Sequence, residues 1–121
     1  MENYSKLISF LFHSRTQAHV FHLQTTSFAE HSALNGYYDE IIELVDGLVE
    51  SYQGKYGILK GYSNYSILEY NDKNQVITYF EALYAKVEEL RKDIPDSYIQ
   101  NQIDTVIELI ESTLYKLKYL N

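Results

Sequence analysis

His19, His31, Asp46 and Glu50 are the residues in this chain best suited to hold a metal ion. Imidazole nitrogens combined with carboxylate oxygens suit iron, manganese or zinc. Their spacing restricts how they do so. One continuous helix is expected over residues 27–53, and His31 and Asp46 are fifteen positions apart on it, which is about 22 Å at a rise of about 1.5 Å per residue. A single copy cannot close both ends around one ion. Across a two-fold axis the same helix of a second copy runs antiparallel, and the Asp46–Glu50 end of one copy meets the His31 end of the other. On a helical wheel His31, Asn35 and Asp46 fall within about 60°, with Glu50 about 40° beyond Asp46. Asp46 and Glu50 stand at i and i+4, so both carboxylates reach one ion.

The elements that must position these groups are legible in the apolar periodicity. Leu7, Leu11, Ser14, Ala18 and Phe21 recur at steps of three and four, which predicts a first helix from about Tyr4 to Leu23. Thr25, Thr26 and Ser27 break it. Ser27 with Glu30 three residues on has the spacing of a capping box and predicts the next helix start. Phe28, His31, Leu34, Tyr38, Ile41, Val45, Leu48 and Tyr52 carry that helix, and Gly54 is expected to stop it. Gly36 and Gly47 lie inside it, where each costs about 1 kcal/mol relative to Ala. Residues 54–71 are irregular, rich in Gly and Tyr, and long enough to cross from one end of a helical bundle to the other. A third helix is expected from Asn71 or Asp72 to about Lys92, on Val76, Phe80, Leu83, Val87 and Leu90. Pro95 breaks it and opens a fourth helix to Leu120, striped by Ile99, Ile103, Val106, Ile110, Leu114 and Leu117. The fold class is therefore all-α. A short hairpin, a long crossover and a second short hairpin describe a four-helix bundle of ferritin type, as a single domain over 1–121.

The run Gln17-Ala18-His19, then His31, Asp46 and Glu50, resembles the Dps mini-ferritins of the ferritin-like superfamily. The likeness is confined mainly to residues 17–54, in the steps of twelve, fifteen and nineteen residues. It implies Fe(II) bound and oxidised between subunits, with His19 and His31 as imidazole ligands and Asp46 and Glu50 as carboxylates of the facing subunit. It also implies a two-fold dimer as the unit of a hollow dodecamer that stores ferric oxide. A further family carboxylate falls on Asn35, Val20 stands where the family usually has Trp, and the Lys-rich DNA-binding tail has no counterpart.

Composition narrows the alternatives. With 121 residues, 45% hydrophobic and 22% charged, the chain has the make-up of one globular domain. It has no Cys, so thiolate metal sites and disulfides are excluded. A net charge of −7 disfavours nucleic acid and attracts cations. The first residues lack a basic stretch and a small-residue cleavage site, and no apolar run approaches a membrane span, so a cytoplasmic protein is expected.

Competing readings of the same residues are plainer. Asp39, Glu43, Asp46 and Glu50 describe a solvated helix face, and His13 a boundary position. His19 and His22, at i and i+3, form a possible metal pair on one helix. Ser27, His31 and Asp39 lack a nucleophile elbow, and the fourth helix has no His to build an intra-subunit di-iron core. No P-loop or dinucleotide turn is present. The contrasting function class is a catalytically silent helical bundle acting through protein contacts.

Overall fold

In the computed structural model, which describes residues 2–121, the spacing of apolar residues becomes four helices: α1 (Glu2–Gln24), α2 (Phe28–Tyr56), α3 (Lys73–Leu90) and α4 (Ser97–Tyr119). Met1, at the start of the expected domain, lies outside the described residues. A 3₁₀ turn, Arg91–Asp93, ends α3, and Ile94–Asp96 lead into α4. The buried faces of α1, α3 and α4 contain the stripes read from the sequence; on α2 the stripe holds from Leu34 on, but Phe28 is exposed, His31 and Tyr38 are half-buried, and Tyr37 is the buried ring. Leu7, Leu11 and Phe21 of α1, Leu34, Ile41 and Leu48 of α2, Val76 and Phe80 of α3, and Ile99, Ile103 and Ile110 of α4 share one core.

Direction follows from the connections. Three residues join α1 to α2, so the two pack antiparallel. Residues 57–72 then run back along α1. Ser63 N–H donates to Ser9 Oγ (2.9 Å), Leu68 N–H to Gln17 Oε1 (2.7 Å) and Tyr70 N–H to Gln24 Oε1 (2.7 Å). The crossover thus climbs parallel to α1 and returns the chain to the hairpin end, where α3 begins. Helix α1 packs on α2 and α3, and α4 packs on the same two. Each packed pair is antiparallel, while α2 and α3 run the same way on a diagonal.

Most of the crossover is tied by side chains, because it has no ladder of its own. Buried Gln17 mimics a strand partner, accepting from Leu68 N–H and donating Nε2–H to Leu68 O at 2.9 Å. His13 bridges Tyr79 Oη (2.8 Å) and Ser66 O (2.9 Å). A carbonyl only accepts, so His13 Nε2 carries the hydrogen and Nδ1 accepts from Tyr79. Phe10 stacks on Tyr65 at 4.5 Å. The tyrosine-rich segment therefore covers the helices of its own chain.

Helix ends depart from the sequence reading at three points. Helix α2 passes through Gly54 and stops at Gly57, whose φ of 93° and ψ of −178° exclude a side chain without strain. Helix α4 starts after Asp96, not at Pro95, and α3 gives way to the 3₁₀ turn at Arg91. The capping box is half formed. Glu30 N–H donates to Ser27 Oγ at 3.3 Å, but the Glu30 carboxylate turns to Thr25 Oγ1 (3.0 Å) and Tyr70 Oη (2.7 Å). Thr25 Oγ1 accepts from Ser27 N–H in its place. No helix among the described residues is long and apolar enough to cross a membrane.

Candidate functional site

The α1–α2 hairpin gathers three of the four histidines at one end of the molecule. His22 of α1 and His31 of α2 stack face to face, ring centres 3.6 Å apart and planes 20° from parallel. Each ring is fixed by the other residue's main chain: His22 Nδ1 lies 2.7 Å from His31 O, and His31 Nδ1 lies 3.0 Å from His22 O. Since carbonyls only accept, both Nδ1 atoms carry hydrogen, an assignment made from the partners. In the neutral rings this leaves Nε2 as the nitrogen with a lone pair. Orientation of a histidine through an Nδ1–H···O=C bond is the usual support of a metal-binding imidazole.

His19 lies one turn earlier on α1. Its ring stacks on Tyr38 at 4.3 Å and stands 5.9 Å from the His22 ring. The pairing across the hairpin is therefore His22 with His31, not His19 with His31. The i, i+3 histidines of α1 differ by a rotation that spacing alone leaves open. His19 is the neighbour of that pair, and its ring nitrogens have no hydrogen-bond partner among the described residues.

Asn35 and Tyr38 close the cluster on the α2 side. Tyr38 Oη donates to Asn35 Oδ1 at 2.8 Å, and Asn35 Nδ2 donates to Asp39 Oδ2 at 3.0 Å. The Asp39 carboxylate fixes the amide orientation, because a flipped amide would set two oxygens together. His22 Nε2 stands 3.5 Å from Tyr38 Oη, at the long limit of a hydrogen bond.

Asp46 and Glu50 lie far from this cluster, toward the other end of α2. Both are exposed, and neither has a hydrogen-bond or ion-pair partner among the described residues. No group of three or more metal-capable side chains converges among the described residues. Within one chain the donors thus form two half-sets, imidazoles of α1 and α2 at the hairpin end and carboxylates toward the other end of α2. Gly36 sits between them at an exposed position, and a Cβ there would meet nothing within 4 Å among the described residues. Nothing among the described residues requires a glycine at that position.

The fold and site together define an all-helical protein with a histidine–tyrosine cluster at one end of its first hairpin and a separate acidic stretch on the same helix. A model described as a family of unknown function (DUF5856) matches residues 22–117, and the chain belongs to that family. The match takes in His22, His31, Asp46 and Glu50 and begins after His19. No curated protein and no solved structure matches the chain.

Proposed function

We propose that this protein is a ferritin-like bundle of the mini-ferritin kind, binding Fe(II) at a site shared by two antiparallel copies. One copy supplies His19 and His31, and the facing copy supplies Asp46 and Glu50. The observation that carries the reading is the pairing of two incomplete half-sets on one helix: a His31 ring with Nε2 left for a ligand, and two carboxylates without partners. A single long crossover between the second and third helices is also the connectivity of ferritin-type bundles.

The pairing fixes where the two-fold axis falls. Half the sum of 31 and 46 is 38.5, and half the sum of 31 and 50 is 40.5, so the axis passes beside residues 38–41 of α2. The carboxylates offset cationic charge and favour Fe(III) over Fe(II), while the main-chain bond on His31 holds imidazole geometry. Iron is the substrate. Each Fe(II) passes one electron to dioxygen or peroxide, which is reduced and protonated toward water. Zinc and manganese suit the same donors. The dimer is the minimum unit, and a dodecamer enclosing ferric oxide is the larger assembly consistent with it.

One observation favours a second reading, a silent bundle that acts through protein contacts. Asn35 stands where the mini-ferritins have a carboxylate, and its amide is committed to Tyr38 and Asp39. The two readings separate in a melting experiment without oxygen. Ligand at 100 times its dissociation constant stabilises the folded state by about 2.7 kcal/mol. Fe(II) or Zn(II) is expected to raise the melting temperature of the wild type and to leave His31→Ala and Asp46→Ala unmoved. Absorbance of ferric iron should then rise on adding peroxide to the iron-loaded wild type. Identical melting of all three proteins with and without metal supports the silent bundle.

A further inference from the structure

A second feature lies on the other side of α1, where the crossover passes over α3. Phe10, Tyr65, Leu68, Tyr79, Leu83 and the stem of Lys86 line an apolar slot of about 250 Å³. The His13 ring at its wall is already matched. It uses both ring nitrogens, on Tyr79 Oη and Ser66 O, so the imidazole is not left seeking a polar ligand group. The slot shares Phe10, Tyr65 and Lys86 with an adjoining cleft of about 510 Å³ that is chiefly polar.

That cleft gathers Lys6, Lys86 and Lys92, three of the ten basic residues of a chain with net charge −7. Its two carboxylates are engaged: Asp93 Oδ2 accepts from Asn3 Nδ2 at 3.0 Å, and Glu89 lies 3.6 Å from Lys86 Nζ. Lys6 and Lys92 have no ion pair among the described residues. Three ammonium groups against two carboxylates leave the cleft at +1. Lys86 links the two compartments, with its Nζ 5.6 Å from the Phe10 ring centre.

From an apolar slot opening into a cationic mouth we infer that this chain binds a small amphiphilic anion, a medium-chain fatty carboxylate, with the alkyl chain in the slot and the carboxylate at the lysines. Small-molecule sites are typically apolar clefts with a few placed polar groups. The proposal is independent of the iron reading and uses none of its residues.

Octanoate is the probe, titrated into the full chain and followed by amide chemical shifts of residues 6–13 and 79–92. Octanoate is expected to bind saturably, with 1-octanol weaker by about tenfold, since it lacks the charge-assisted hydrogen bond, and acetate weaker by far more, since it lacks six methylenes to bury. Lys86→Met, which keeps the stem, should weaken octanoate by about tenfold and leave octanol unchanged. Ala82→Phe, from an exposed position at the slot edge, should abolish both while far-ultraviolet circular dichroism stays as in the wild type. Failure of octanoate to saturate overturns the proposal. Equal affinity for octanoate and octanol, unaffected by Lys86→Met, also overturns it.

Discussion

Asp96 joins the end of α2 to the start of α4 through one buried carboxylate. It precedes α4 yet makes no cap bond. Instead it accepts from Lys55 Nζ, at the end of α2, and from Tyr56 Oη at 2.6 Å. Lys55, and then Tyr56, hold the carboxyl below its ordinary range, while the same contacts raise Lys55. A depressed carboxyl binds fewer protons folded than unfolded in acid. Its contribution is present above the unfolded carboxyl range and is lost as pH falls from there through the depressed folded value. The raised Lys55 has the opposite sign, contributing below the usual lysine range and fading in strong alkali. Asp96→Asn is therefore expected to flatten the fall in melting temperature between about pH 5 and about pH 3. An acid limb as steep as that of the wild type would count against the ion pair. This link was not legible in the sequence, because Lys55 and Asp96 are 41 positions apart. The His22–His31 stack escaped for a different reason. Spacing puts both His19 and His22 near the hairpin, and only the rotation of α1 about its axis selects which ring crosses to α2.

Helix stripes were legible on α3 and α4 and along most of α2, where Leu34, Ile41 and Leu48 reach the core, but Phe28 keeps the period and is exposed, and Tyr37 rather than Tyr38 is the fully buried ring. Helix ends were less so. Gly54 and Gly57 offer similar stop signals, and the choice falls to Gly57. Leu59 just beyond it is buried, and its N–H is received by Gln53 Oε1 at 3.1 Å. Reaching that bond from the last turn of α2 takes the chain through a φ of 93° at Gly57. Gly57→Ala should destabilise the fold by about 1–3 kcal/mol in urea unfolding, whereas Gly54→Ala, inside the helix and in open space, should stabilise it by about 0.5–1 kcal/mol. Equal effects at the two glycines would contradict this placement of the helix end. The path of the crossover was legible as a length and not as a route. Its route along α1 depends on side-chain hydrogen bonds from Ser9, Gln17 and Gln24, polar residues whose facing no periodicity announces.

For the whole molecule, the expected order of hairpin, crossover and hairpin stands as four helices around one core. The iron site proposed on it is a property of two molecules, because α2 separates its imidazoles from its carboxylates. That requirement gives a complementation test. One variant carries His19→Ala and His31→Ala, the other Asp46→Ala and Glu50→Ala. Each alone should fail to bind Fe(II) under anaerobic titration. After the two are mixed and allowed to exchange subunits, random pairing makes half the dimers mixed, each with one intact site, so about a quarter of the wild-type capacity should return. If exchanged mixtures bind no iron while the wild type does, or if either variant alone binds as the wild type does, the site is not shared between copies in the way proposed.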